Sequence, residues 1–165
     1  MNNSKLSIGT VQFGMQYGVA NNLKKTDVRH VVKILDTAHK EGINALDTAP
    51  IYGNSEVVLG EALCGQNWNI TTKIPPCEED VVSASYLKTI KKSLCHSLLS
   101  LGVQIVDGLL VHNCDDLFKP GGRDIFFELK KLQSLGLIKK IGVSVYTKDQ
   151  ILRVLDNFDI DLIQL

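Results

Sequence analysis

The sequence predicts an α/β fold built on parallel strands. Short apolar segments that hardly alternate with polar residues recur six times, as in strands buried on both faces. Segments with the apolar spacing of amphipathic helices lie between them. Glycine or proline separates most of these elements. Right-handed crossovers of this kind give either an open doubly wound sheet or an eight-stranded barrel.

Length and charge limit the kinds of protein this can be. A chain of 165 residues can bury a substantial core, and we expect one domain spanning residues 1–165. Formal net charge is zero without any block of like charge, so nothing indicates nucleic acid or a membrane surface as a partner. The sequence has no signal-peptide core and no apolar run that could span a bilayer. We therefore expect a cytoplasmic protein that binds a small molecule.

The first strand and the first helix are expected before residue 43. The segment Leu6 to Val11 is apolar and predicts a strand, and the glycines in residues 12–18 predict a loop. Thr26 or Asp27 is suited to cap a helix that Gly42 ends. The buried face of this helix is expected to comprise Val28, Val31, Leu35 and Ala38.

The loop after the second strand brings two reactive groups together. The apolar run from Ile43 to Leu46 predicts a buried strand that delivers the carboxylate of Asp47 at its end. A proline and a glycine in residues 48–53 predict a loop, which should hold Asp47 close to the phenol of Tyr52. Ser55 is suited to cap a helix over Glu56 to Leu63.

Four more strands and three more helices follow by the same criteria. The predicted strands are Asn69–Ile74, Ile105–Val111, Lys140–Val145 and Ile160–Leu165. The predicted helices are Val82–Leu101, Asp124–Leu135 and Lys148–Asn157. Gly121 and Gly122 could cradle a phosphate, but a simple turn is favoured because no strand precedes them.

The cysteines give no sign of a metal site. They lack the close Cys and His spacing of zinc sites, so we interpret them as reduced thiols that mostly serve packing. The four are Cys64, Cys77, Cys95 and Cys114. Three histidines fall within predicted helices, where surface or packing roles are expected. His112 differs because it follows a strand.

Polar residues end five successive predicted strands. They are Asp47, Lys73, His112, Ser144 and Gln164, and Tyr52 follows the first of them. In a parallel barrel the carboxyl ends of the strands gather catalytic residues, whereas a polar group in an apolar strand is costly elsewhere. Each residue alone has an ordinary structural explanation, such as a turn cap for Asp47 or a surface-reaching side chain for Lys73. Their joint placement favours a site.

These side chains together suit proton transfer to a carbonyl oxygen. A phenol with a pKa of about 10 is a poor proton donor or acceptor at neutral pH unless a cation favours the phenolate. Lys73 is that cation, and Asp47 would keep it charged. His112 can donate a hydrogen bond that orients the carbonyl. A weaker alternative is a Schiff base on Lys73, which gives Tyr52 and Asp47 no coordinated role.

Several motifs occur in a fixed order along the chain. They are Gly9-Thr10, Asp47-Thr48-Ala49 with Tyr52-Gly53 and Ser55-Glu56, Thr72-Lys73, Leu110-Val111-His112 and Gly142-Val143-Ser144. In this order they resemble the aldo-keto reductase superfamily, and the resemblance runs from the first strand to the last residue. It implies a (β/α)8 TIM-barrel fold that uses NADPH, with NADH as the alternative, to reduce an aldehyde or ketone.

The resemblance also assigns roles to residues. It implies that Tyr52 is the general acid, that Lys73 and Asp47 tune it, and that His112 orients the substrate. The implied cofactor-binding residues are Gly9, Thr10, Ser144 and Gln164. Val145 departs from the pattern, because the family often has asparagine beside the serine.

The sequence stops earlier than a complete barrel would. Such a barrel needs about 250 residues, so we expect truncation after about strand six. In the family, strands seven and eight carry the aromatic residue that stacks on nicotinamide and the basic residues that hold the cofactor phosphates. We therefore expect this chain to bind NADPH weakly or not at all.

Three interpretations of this length stay open. The chain is a fragment of a longer enzyme, a natural truncation without activity, or a polypeptide that completes its sheet with a second copy. An inactive barrel remnant would serve as an interaction or assembly module. Self-association through the unpaired barrel edges is part of that alternative.

Overall fold

A computed structural model describes residues 5–18, 25–63 and 65–165. Its centre is a six-stranded parallel sheet in which the strands follow one another in chain order. The strands are β1 (Ile8–Gly9), β2 (Ala45–Asp47), β3 (Asn69–Ile74), β4 (Val106–Val111), β5 (Ile138–Ser144) and β6 (Leu162–Gln164). A doubly wound sheet would reverse its strand order at a switch point. The order found here is that of a (β/α)8 barrel, so the predicted truncated barrel is confirmed.

Helices connect the strands. They are α1 (Val11–Gly14), α2 (Val28–Lys40), α3 (Ser55–Ala62), α4 (Ala84–Leu101), α5 (Arg123–Ser134) and α6 (Lys148–Leu155), and a 3-10 helix spans Cys114–Phe118. Asp27 caps α2 by accepting a hydrogen bond from the Arg29 amide, as predicted. Within the described part of the chain, no helix is long and apolar enough to cross a membrane.

The strand register aligns the predicted site residues at one rim. Asp47 pairs with Gly9 on one side and with Thr71 on the other. Ser144 on β5 pairs with Gln164 on β6. Because all strands are parallel, their carboxyl ends face the same way, and the loops that follow them share one edge of the sheet.

Two local predictions were wrong near the start of the chain. The predicted strand at Leu6 to Val11 is only two residues long, and residues 11–14 form a helix instead of a loop. Phe13 explains the change because this helix turns its side chain into the core. Ser55 does not cap α3; it is the first helical residue, behind Asn54, and its hydroxyl binds Thr10.

The remaining predictions on packing agree with the structure. Val31, Leu35 and Ala38 are buried on α2, and Val28 is only partly buried but packs against the core. Gly121 adopts a left-handed conformation with φ of 78°, in the turn that precedes α5. The cysteines within the described residues are free thiols, of which Cys77 and Cys114 are buried. Cys64 lies outside the described residues.

Candidate active site

The ends of β2 and β3 join Asp47 and Lys73 in an ion pair. The Lys73 ammonium donates to Asp47 Oδ1 over 2.7 Å and to the Thr48 carbonyl over 3.0 Å. The Lys73 side chain is 2% exposed and that of Asp47 is 22% exposed. Burial lowers the pKa of Lys73, and the Asp47 carboxylate opposes this effect. The predicted pairing of these two residues is confirmed.

The loop after β2 places Tyr52 beside this pair. The Lys73 ammonium lies 5.2 Å from the centre of the Tyr52 ring. His112, directly after β4, meets the ring edge-on with 6.3 Å between ring centres. The structure therefore gathers Asp47, Lys73, Tyr52 and His112 into one cluster, although they come from three different strand ends.

The net pKa of Tyr52 lies above its ordinary value. Burial raises the pKa of Tyr52, and the negative charge of Asp47 raises it further. We attribute this to the Asp47 carboxylate, which binds the Lys73 ammonium directly and offsets its field at the phenol. The role of Lys73 toward the phenolate stays a prediction. Tyr52 holds its proton at neutral pH.

His112 is held neutral at the same edge. Burial lowers the pKa of His112, and the positive charge of Lys73 lowers it further. A neutral imidazole carries one N–H donor and one acceptor nitrogen. The Nδ1 atom is buried and has no hydrogen-bond partner among the described residues.

A buried hydroxyl network supports the rim and was not predicted. The Thr10 hydroxyl donates to the Asp47 carbonyl over 2.9 Å, and the Ser55 hydroxyl donates to the Thr10 carbonyl over 2.8 Å. The Thr48 hydroxyl lies 3.3 Å from Ser55 Oγ. Ser55 and Thr10 are 45 positions apart, so no local pattern could have indicated this contact.

The four predicted cofactor-binding residues lie near the two outer strands of the sheet. Gly9 and Thr10 are at β1, and Ser144 and Gln164 end β5 and β6. Gly9 has open space on the side where a Cβ would stand. Thr10 is fully buried, and its hydroxyl is already bound to Asp47 and Ser55. The Ser144 hydroxyl donates to Gln164 Oε1 over 3.2 Å.

A cavity lies between the strands near Asp47 and Gln164. Its volume is about 160 Å³, and both Asp47 and Gln164 line it. Thr71, Leu110 and Leu162 contribute further walls from β3, β4 and β6. Of the clustered residues Asp47, Lys73, Tyr52 and His112, only Asp47 lines this cavity.

A buried aspartate clamps the loops behind Lys73 and His112. Asp116 is fully buried; its Oδ2 accepts from the Cys77 amide over 2.9 Å and its Oδ1 pairs with Lys119 over 2.8 Å. Lys119 also donates to the Cys77 carbonyl. The clamp thus ties the loop after β3 to the 3-10 helix after β4. Only the spacing of Asp116 and Lys119 could have suggested part of it.

Comparison with known proteins agrees with this geometry. The sequence profile of the Aldo/keto reductase family matches residues 5–165. The chain is 31% identical to a 6-dehydroglucose reductase from Novosphingobium aromaticivorans, over 92% of this chain and 52% of that protein. It is 30% identical to an NADH-specific methylglyoxal reductase from Escherichia coli, over 77% of this chain and 44% of that protein.

A solved structure extends the likeness to three dimensions. A candidate aldo-keto reductase from Pseudomonas aeruginosa superposes with a TM-score of 0.74 at 34% identity, over 93% of this chain and 60% of that one. The chain thus spans about half the length of the curated relatives it matches. By its sequence profile, strand order and strand-end residues, this chain belongs to the aldo/keto reductase family.

Proposed function

We propose that this chain carries the active centre of an NAD(P)H-dependent oxidoreductase that reduces an aldehyde or ketone to an alcohol. One observation carries the proposal: the Lys73 ammonium is bound to Asp47 and lies 5.2 Å from the Tyr52 ring. The His112 ring meets the Tyr52 ring edge-on. The reductase names of the two relatives support the same reaction class.

Tyr52 is the proton donor in this proposal. Its raised pKa keeps the phenol protonated at neutral pH, so a proton is available when a carbonyl oxygen gains negative charge. An alkoxide is far more basic than a phenolate, so the proton moves from Tyr52 Oη to the substrate oxygen. The nearby Lys73 ammonium then stabilises the phenolate that remains. Lys73 thus acts after the proton has left.

His112 and Asp47 complete the proton chemistry. His112 is neutral because its pKa is lowered, and its N–H can donate a hydrogen bond to the carbonyl oxygen and orient it. Asp47 keeps Lys73 charged despite its burial, because the carboxylate opposes the desolvation of the ammonium. Without that charge, the phenolate would have no counter-ion.

The residues present fit the nicotinamide end of a cofactor. Ser144 and Gln164 offer a hydroxyl and an amide side by side, which match the donor and acceptor of a carboxamide. Gly9 leaves its backbone open on one side. Thr10 is engaged in the buried network, so we assign it a supporting role. When bound, NADPH or NADH supplies the hydride.

The direct test is oxidation of NADPH and NADH by this chain with methylglyoxal as the carbonyl probe. We expect Tyr52→Phe to lower the rate about 100-fold or more, because general acid catalysis contributes on that order. Tyr86→Phe is the matched control, since the Tyr86 hydroxyl donates to the Pro75 carbonyl, outside the cluster around Tyr52. Equal, measurable rates for Tyr52→Phe and the unchanged chain would contradict the proposal.

A second candidate is a non-catalytic assembly module. It is favoured by the sheet's outer strands, because β1 and β6 each have only one neighbouring strand among the described residues. Titration calorimetry with NADPH and light scattering distinguish the two candidates. An oligomer that neither binds nor oxidises NAD(P)H would support this candidate over the reductase.

A further inference from the structure

Gly14, at the end of α1, lies directly against the backbone of the Tyr52 loop. A Cβ placed on Gly14 would stand 1.7 Å from the Tyr52 carbonyl oxygen and 2.5 Å from the Ser55 amide nitrogen. Both neighbours are backbone atoms, which cannot rotate away as a side chain can. The φ angle of Gly14 is not among the positive values, so close approach is what requires glycine here.

The same segment also holds the beginning of the loop. The Thr10 amide donates to the Asp47 carbonyl over 3.0 Å, and the Thr10 hydroxyl adds a second bond to that oxygen. Residues 10–14 therefore contact the loop at Asp47 and again at Tyr52. Between these contacts, the Tyr52 amide bonds back to the Ala49 carbonyl. The loop is thus held at its start and near its tip.

We propose that Gly14 is a positioning residue for Tyr52, because the absence of its side chain lets α1 pack on the Tyr52 carbonyl and fix the phenol ring beside the Lys73 ammonium. The inference rests on the proposed function for its catalytic meaning. The position of the Tyr52 ring can be tested without any catalytic activity, because the ring and the Lys73 ammonium both belong to this chain.

The direction in which a methyl group on Gly14 would move Tyr52 follows from which neighbouring segments are held in place. Asp47 and Thr48 are bound to the buried Lys73 ammonium, and α3 packs behind the loop on α4, where Gly60 meets the Ser100 carbonyl. A methyl group on Gly14 therefore pushes the tip of the loop outward. Tyr52 sits on that tip, so its ring leaves Lys73.

NMR of the folded chain measures this displacement without cofactor or substrate. An aromatic ring shifts the resonances of nearby protons, so the ε-protons of Lys73 report on the Tyr52 ring. Tyr52→Leu gives the value with no ring present. In Gly14→Ala we expect the Lys73 signal to move more than half-way to that value, with loss of the cross-peaks between the Tyr52 ring and Lys73.

Gly60→Ala is the matched control. A Cβ at Gly60 would stand 2.1 Å from the Ser100 carbonyl oxygen, a backbone overlap of similar severity between α3 and α4. It should lower the melting temperature as Gly14→Ala does, yet leave the Lys73 signal where it is. The comparison separates general destabilisation from displacement of Tyr52.

Unchanged Lys73 signals in a folded Gly14→Ala variant would overturn the proposal, since α1 would then have yielded instead of the loop. If that variant does not fold, Gly53→Ala replaces it. Its Cβ would meet the Gly14 carbonyl at 2.6 Å, and its φ of 62° adds backbone strain, for which Gly65→Ala (φ of 74°, no atom within 4 Å) is the control. A smaller shift of the Lys73 signal is expected in Gly53→Ala and none in Gly65→Ala. No shift in Gly53→Ala would also refute the proposal.

The outcome is independent of the reductase test. If Gly14→Ala displaces the ring while the unchanged chain oxidises no NAD(P)H, the positioning stands and the proposed function fails. If the chain is active and the Gly14→Ala signals stay unchanged, the positioning fails alone.

Discussion

At the level of single residues, burial and the charge of Asp47 act in the same direction on Tyr52. The sequence allowed Asp47, Lys73 and Tyr52 to be placed at one rim, because they follow neighbouring parallel strands. It did not reveal how deeply each would be buried. The Lys73 side chain is almost inaccessible and bound to Asp47, so burial and the Asp47 charge raise the pKa of the phenol.

The lowered pKa of His112 predicts a pH-dependent stability. The unfolded chain binds a proton on this imidazole at about pH 6.5, whereas the folded chain does so only at lower pH. The stabilisation of the fold that comes from neutral His112 is therefore complete above about pH 6.5. It is lost as the pH falls from that value through the folded pKa. We expect the free energy of unfolding to fall more steeply below about pH 6.5 in the unchanged chain than in His112→Gln.

Urea unfolding at several pH values measures this difference. His30→Gln is the matched substitution, because His30 is exposed on α2. An NMR titration of His112 with a midpoint at or above 6.5, the ordinary value, would contradict the stated cause.

At the level of secondary structure, the long periodic elements could be predicted and the short ones could not. The strand Asn69–Ile74 was predicted with the bounds that the structure has, and α2 was predicted with its cap and buried face. The errors concern α1, which contains only four residues, and the 3-10 helix after β4. Such short pieces depend on tertiary contacts, since a single turn has little helical stability of its own.

The clamp between two loops predicts a large loss of stability for Asp116→Ala. The change leaves the Cys77 amide unsatisfied and removes the partner of Lys119. The unsatisfied buried amide costs about 1–3 kcal/mol, while Lys119, whose side chain is 24% exposed, can turn to water. Urea unfolding measures this cost.

Asp115→Ala is the control for the clamp. The Asp115 side chain is 54% exposed and its ion pair with Arg153 is 3.7 Å long, so its removal should cost about 0.5 kcal/mol or less. Similar losses for the two variants would show that the buried contacts of Asp116 do not stabilise the loops.

At the level of the whole molecule, the sheet has two outer strands that could pair further. Ile163 on β6 is partly exposed and Leu165 beyond it is 84% exposed. Parallel strands with open backbone groups and apolar neighbours favour pairing with another chain. The sequence indicated this consequence, because six strand patterns are too few for the eight-stranded barrel that the motifs resemble.

We therefore predict that the isolated chain self-associates through β6. Ile163→Lys should reduce association, because a charge at an edge strand opposes pairing. Leu99→Lys is the control, since Leu99 is exposed on α4, away from the sheet edge. Sedimentation velocity over a range of concentrations measures the effect. A chain that stays monomeric at high concentration would refute this prediction.

The strand order β1-β2-β3-β4-β5-β6 has a consequence for how the protein forms. Every strand adds beside its immediate predecessor, so each pairing requires closure of only one strand–helix connection. A pairing between consecutive strands costs less loop-closure entropy than one between strands that are far apart in the chain. During translation, each new unit can dock on the preceding ones as it leaves the ribosome. The rim that holds Lys73 and Asp47 can thus assemble before the later strands have been synthesised.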